Sequence, residues 1–113
     1  MIRYAVPMIN DQLSLHFGHA DQFAILDYDD ESRSIVKHDT RTPPPHEPGV
    51  LPAWLHELGV NIIIAGGMGR RAVSLFSQND ITVVTGAQGV TAEEIVLAHA
   101  TGELNIGDNI CDH

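Results

Sequence analysis

The chain has 113 residues, enough for one domain around one core. Its formal charge is −9 with histidines neutral, and an acidic surface repels phosphate backbones, so nucleic acid is not an expected partner. No apolar run approaches a membrane span and the opening residues lack a signal-peptide pattern, so a cytoplasmic protein with no membrane partner is expected. The single cysteine, Cys111, rules out an intrachain disulfide framework.

Residues 2–8 alternate Ile2, Tyr4, Val6 and Met8, the pattern of a first strand, which Pro7 and the polar Asn10, Asp11 and Gln12 bring to an end. Residues 13–20 read as a loop carrying His16, Phe17, Gly18 and His19. Residues 22–28 form a second strand, apolar on both faces through Phe23, Ala24, Ile25 and Leu26. The polar residues 29–32 turn the chain into a third strand at 34–39, where only Ile35 and Val36 are clearly apolar. That polarity suits a sheet edge, and the short turn makes strands two and three an antiparallel hairpin.

Three consecutive prolines, Pro43 to Pro45, precede His46, Glu47 and Pro48, and such a run cannot enter a sheet interior. Leu51, Trp54, Leu55 and Leu58 then show the i, i+3, i+4, i+7 spacing of an amphipathic helix, with Pro52 in its first turn and Gly59 closing it. The continuous apolar run Ile62, Ile63, Ile64 and Ala65 reads as a strand covered on both faces. Gly66, Gly67 and Gly69 follow at once, and Ala72, Val73, Leu75 and Phe76 take up helical spacing. Asn79 and Asp80 turn into a short strand at 81–84, and Gly86 and Gly89 mark a second glycine loop. Thr91, Ala92, Glu93 and Glu94 form a capping box, so a last helix starts there; Ile95, Val96, Leu97 and Ala98 carry its apolar content, and Gly102 ends it. Trp54 and Phe76 are expected in the core.

The order β-β-β-α-β-α-β-α predicts a single α/β domain over residues 1–113. Its mixed five-stranded sheet combines an N-terminal hairpin with parallel βα units, and its three helices lie on both faces. In open α/β sheets, ligands bind beyond the carboxyl ends of the parallel strands. The loops at 7–20, 66–70 and 85–89 are expected there, and the proline loop reaches the same rim. The glycines at 66, 67 and 69 are expected to let the backbone take positive φ and approach a ligand closely. Behind them a helix start offers unpaired N–H groups and partial positive charge, to which Arg70 and Arg71 add. Gly-Gly-x-Gly is not the dinucleotide fingerprint, so a nicotinamide site is not expected.

His16 and His19 stand three residues apart around Gly18, a spacing at which two imidazoles can meet one metal. His46 with Glu47 could complete the set, and so could the thiolate of Cys111 with His113. His38, His56 and His99 fall on strand or helix positions and receive no site role. Asp27, Asp29, Asp30 and Glu31 read as a solvated turn. No G-x-S-x-G and no nucleophile triad is present.

These residues together resemble the dinitrogenase iron–molybdenum cofactor domain. The likeness is carried by the opening Ile-Arg-Tyr-Ala-Val-Pro, by His16-Phe17-Gly18-His19-Ala20 with Phe23, by Ile62 through Gly69 with Ala72, and by Gly86. The resemblance implies a ribonuclease H-like three-layer fold without nuclease activity. It also implies binding or carrying of a metal–sulfur cluster, iron- or molybdenum-containing. The cluster would dock on Gly66, Gly67, Met68, Gly69, Arg70 and Gly86, with His16, His19, His46, Cys111 and His113 as candidate metal ligands. A non-catalytic carrier or scaffold follows, with cofactor-assembly proteins as partners and a monomer or weak homodimer as its state. The alternatives are a small α/β hydrolase or phosphate-binding enzyme using the glycine turn and a histidine base, and a regulatory domain with a vestigial site.

Overall fold

The computed structural model describes residues 1–9, 12–13, 20–44, 49–86 and 91–102. Six strands and three helices follow in the order β1 (Ile2–Ile9), β2 (Gln12–Leu13), β3 (Gln22–Asp29), β4 (Ser34–Arg41), α1 (Val50–Glu57), β5 (Ile62–Ile64), α2 (Arg70–Gln78), β6 (Thr82–Val84) and α3 (Ala92–Ala100). The main sheet runs β4-β3-β1-β5-β6, with β3 antiparallel to both its neighbours and β1, β5 and β6 mutually parallel. This is the mixed five-stranded, three-helix α/β architecture expected. The exception is β2, which pairs antiparallel with the end of β1. Two residues are too few to show any periodicity, so nothing in the sequence marks β2 as a strand.

Alternation along the central strands sorts side chains into two cores. Tyr4, Val6 and Met8 of β1 join Ala24, Leu26 and Tyr28 of β3 and Ile64 of β5 on one face, where Ala92, Ile95 and Val96 of α3 cover them. Ala5, Phe23, Ile25 and Ile63 occupy the other face under Leu51 and Leu55 of α1 and Phe76 of α2. Phe76 is fully buried, and burial of a side chain that size contributes about 2–3 kcal/mol. Trp54 is partly buried and meets Phe23 edge-on, ring centroids 5.8 Å apart.

Local signals fix the element ends. Gly59 sits at φ 79, the left-handed residue that closes α1. The Thr91 hydroxyl accepts a hydrogen bond from the Glu94 N–H at 3.2 Å, capping α3. Strand β4 lies at the sheet edge, as its polarity predicts, and the ladder slips at Asp27 and Tyr28, leaving Val36 without an opposite residue.

Two expectations are corrected. Leu97 is exposed rather than part of the apolar face of α3, because Ile95, Val96 and Ala92 fill the contact with the sheet. Asp27 is not part of a solvated turn. It is buried on β3 directly opposite Arg3 of β1, which donates to it through Nε at 2.7 Å and Nη2 at 3.1 Å. Arg3 also donates through Nη1 to the Leu58 carbonyl, tying the end of α1 to the sheet. The Arg3 guanidinium holds the Asp27 carboxyl below the ordinary carboxylate range, and Asp27 in turn raises Arg3.

Candidate functional site

Four chain reversals leave the same end of the sheet. Strands β1, β5 and β6 point one way, so their carboxyl ends share one edge, where Ile64 pairs with Val84 and β1 runs on past them to Ile9. Phe23 of β3 opposes both Pro7 of β1 and Arg41 of β4, which brings the end of β4 to that edge as well. The stretch containing His16 and His19 is bracketed by Leu13, paired with Met8, and by Asp21, whose N–H donates to the Met8 carbonyl at 2.9 Å. Ala20, which follows that stretch, belongs to the same buried cluster as Met68 of the glycine turn. The two glycine loops are joined directly. The Ala65 N–H donates to Val84 and the Gly86 N–H donates to the Gly66 carbonyl, each at 2.9 Å.

Of the candidate docking residues, Gly66, Gly67 and Met68 are buried, Gly69 is half-buried and Arg70 is exposed. The side chain of Met68 is fully buried in the core beneath α2, so only its backbone is available to the rim. The positive φ expected at Gly66, Gly67 and Gly69 is found at none of them, whereas Gly86 takes φ 76. Gly69 has φ −66 and ψ 155, extended backbone that any residue adopts. A Cβ added there would meet no described atom within 4 Å. Neither conformation nor crowding therefore asks for glycine at this position.

Gly69 is the N-cap of α2 and has no side chain with which to cap it. The first intrahelical bond runs from the Val73 N–H to the Gly69 carbonyl at 3.1 Å, and the amides before Val73 have no partner within the helix. The first turn holds no acidic residue and two arginines, Arg70 and Arg71. Cations at this end oppose the helix dipole, each by about 0.3–1 kcal/mol. By contrast, α3 has a threonine cap and Glu93 and Glu94 in its first turn. So α2 starts with two choices that disfavour the helix in isolation, the cations Arg70 and Arg71. Both favour an anion above the helix start.

His16, His19, His46, Cys111 and His113 lie outside the described residues. Among the described residues, no group of three or more His, Cys, Asp or Glu side chains is placed to hold a metal ion. The remaining histidines have structural partners. His38 donates from Nδ1 to Glu93 at 2.9 Å, joining β4 to α3. His56 donates from Nδ1 to the Asn79 carbonyl at 3.0 Å. His99 Nδ1 shares a hydrogen bond with the Tyr4 hydroxyl at 3.0 Å, and burial pushes its imidazole below the ordinary range. Sequence reasoning missed the Arg3–Asp27 pair. Its one signal was an acid at an inward position of the strand pattern, two residues past Ile25.

The model of the family described as dinitrogenase iron–molybdenum cofactor matches residues 1–102. An uncharacterized protein of Methanocaldococcus jannaschii is 30% identical over 108 residues, spanning 92% of this chain and 90% of that one. The crystal structure of PH0822 superposes with a TM-score of 0.84 at 30% identity, covering 94% of this chain and 96% of its own. The apo form of the orange protein from Desulfovibrio gigas shares the fold, with a TM-score of 0.72 at 19% identity and coverage of 96% and 95%.

Proposed function

This chain belongs to the dinitrogenase iron–molybdenum cofactor family, and from that membership we propose that it is a small carrier or scaffold for an anionic metal–sulfur cluster. The observation that carries the reading is the start of α2. A helix start that is open above Gly69 and carries Arg70 and Arg71 with no acidic residue in its first turn favours an anion. Sulfide-rich iron or molybdenum clusters are anionic and carry acceptor atoms on every face. Amides of the glycine turn and the guanidinium of Arg70 are the matching donors.

The described residues supply donors for the cluster's sulfides and no ligand set for its metals. Metal ligation falls to His16, His19 and His46, with Cys111 and His113 as further candidates. Soft and borderline metals accept imidazole and thiolate readily. The carrier performs no turnover of its own. It takes up the iron- or molybdenum-containing cluster and passes it to cofactor-assembly proteins, working as a monomer or weak homodimer in the cytoplasm.

The test is titration of the metal-free chain with tetrathiomolybdate and, separately, with iron and sulfide under exclusion of air, followed by absorbance and metal analysis. Saturable uptake at a fixed stoichiometry, lost in a His16→Ala, His19→Ala double variant, is the expected result. Uptake unchanged by the double variant removes those histidines from the site. Binding of inorganic phosphate in preference to either cluster source would favour the phosphate-handling enzyme instead.

A further inference from the structure

Strand β4 is the long free edge of the sheet. It runs eight residues, holds no proline, and among the described residues pairs with β3 alone. The opposite edge, β6, is three residues long. An edge strand presents outward N–H and C=O groups that can pair with another strand, and proteins ordinarily guard it with charge. A row of one sign repels any copy of itself, since like charges directly opposite are destabilising. On β4 the signs alternate. Lys37, Asp39 and Arg41 lie on one face, beside Arg3, Asp27 and Leu58. Lys37 is exposed, and the Asp39 side chain is 41% exposed.

A second copy of β4 laid antiparallel about a two-fold axis at His38 meets this pattern with its complement. In that register Lys37 of each copy stands opposite Asp39 of the other. Directly opposite residues come within about 4.5–5.5 Å between Cβ atoms, close enough for both ion pairs. An axis at Lys37 would set lysine against lysine, and one at Asp39 would set carboxylate against carboxylate, so charge selects His38. Lys37 has no hydrogen bond or ion pair among the described residues, although its charge acts on Asp27. Asp39 accepts from the Thr40 N–H at 3.0 Å through Oδ1 and from Arg41 Nε at 2.9 Å through Oδ2, and each oxygen keeps a second lone pair. Two chains of charge −9 repel overall, but β4 carries two cations and one carboxylate, so the approaching edges are not acidic.

We propose that the chain forms a homodimer by antiparallel pairing of β4 with β4 of a second copy, two-fold about His38, with Lys37 opposite Asp39 in both directions. Each copy offers one such edge, so assembly closes at two and joins the two sheets into one. A single strand pair buries little surface, so the dimer is weak, dissociating in the micromolar to millimolar range. The pairing uses no residue of the glycine turn and is independent of the cluster reading, so either can fail alone.

The experiment is sedimentation equilibrium of the metal-free full chain over a series reaching about 1 mM. A monomer–dimer equilibrium with no larger species is expected, and amide NMR shifts on dilution should gather on residues 34–41. Lys37→Glu and Asp39→Lys each set like charges opposite one another twice, so each should weaken the dimer about tenfold or more. In an equimolar mixture of these two variants every opposed pair is again of unlike charge, so a heterodimer of parental affinity should return. Circular dichroism checks that both variants are folded, and the dilution shifts of the parent test the interface without them. A parent that stays monomeric at about 1 mM, oligomers beyond two, dilution shifts centred away from β4, single variants that dimerise as the parent does, or no recovery in the mixture would each overturn the proposal.

Discussion

Replacing Gly69 by aspartate separates what the fold needs from what the site needs. At φ −66 and ψ 155, an aspartate fits the backbone, and its Cβ meets no described atom within 4 Å. Its carboxylate can accept from the second or third amide of α2, the bond Thr91 already makes for α3. Exchange of a glycine cap for aspartate contributes a few tenths of a kcal/mol, and a negative charge at this helix end adds about 0.3–1 kcal/mol. Nearby Arg70 and Arg71 work in the same direction. The sum is about 0.5–1.5 kcal/mol of added stability. For a domain of this size that is a rise in Tm of about 2–6 °C. The same carboxylate places negative charge where the cluster's sulfides would sit, so tetrathiomolybdate uptake should fall at least tenfold. Circular dichroism melts and absorbance titration measure the two effects on one sample. A lower Tm would show that the fold does require glycine at this position. A higher Tm with unchanged uptake would show that the start of α2 is not where the anion docks.

Other perturbations test the frame that holds the rim. Asp27→Asn should cost about 1–2 kcal/mol in urea unfolding, since it weakens a buried pair whose arginine is still partly open to solvent. Asp27 is held below its ordinary value in the folded chain, so its contribution is complete above the unfolded carboxylate pKa of about 3.9 and is lost as pH falls through the lower folded value. The stability gap between parent and Asp27→Asn should therefore persist down to about pH 4 and close below it. Gly59→Ala should cost about 1–2 kcal/mol, because φ is +79 and the new Cβ would lie 3.3 Å from Arg3 Nη1. His99 is held below its ordinary imidazole value, so the folded chain loses stability as pH falls from the unfolded value of about 6.5 through the lower folded one. His99→Gln, which keeps a partner for Tyr4, should remove that part of the acid sensitivity in melts at pH 7 and pH 5.

Most of the architecture was legible because its elements are periodic. Ile62 to Ala65 could only be a doubly covered strand, and the polarity of β4 placed it at an edge before any pairing was known. The capping threonine of α3 and the closing glycine of α1 were readable from residue type alone. What escaped had no local signature. Two residues of β2 carry no period. Asp27 looks like its acidic neighbours Asp29 and Asp30 until β1 is laid beside β3 and Arg3 falls opposite. At the rim, the sequence singled out the glycines, but the positive φ expected at Gly66, Gly67 and Gly69 is found at none of the three. Only Gly86 uses its conformational freedom, while Gly69 is extended and has open space above it. The difference between a glycine needed for φ and one that leaves room for a guest appears only once the backbone angles are known.

The most direct measurement is an amide NMR titration of the metal-free chain with tetrathiomolybdate under exclusion of air. Saturable shifts gathered on Gly66 through Ala72, Gly86 and the amides around His16, His19 and His46, with the turn between β3 and β4 at the far end of the sheet unmoved, are the predicted result. Shifts that leave the glycine turn untouched and gather elsewhere on the molecule would contradict the cluster-carrying site.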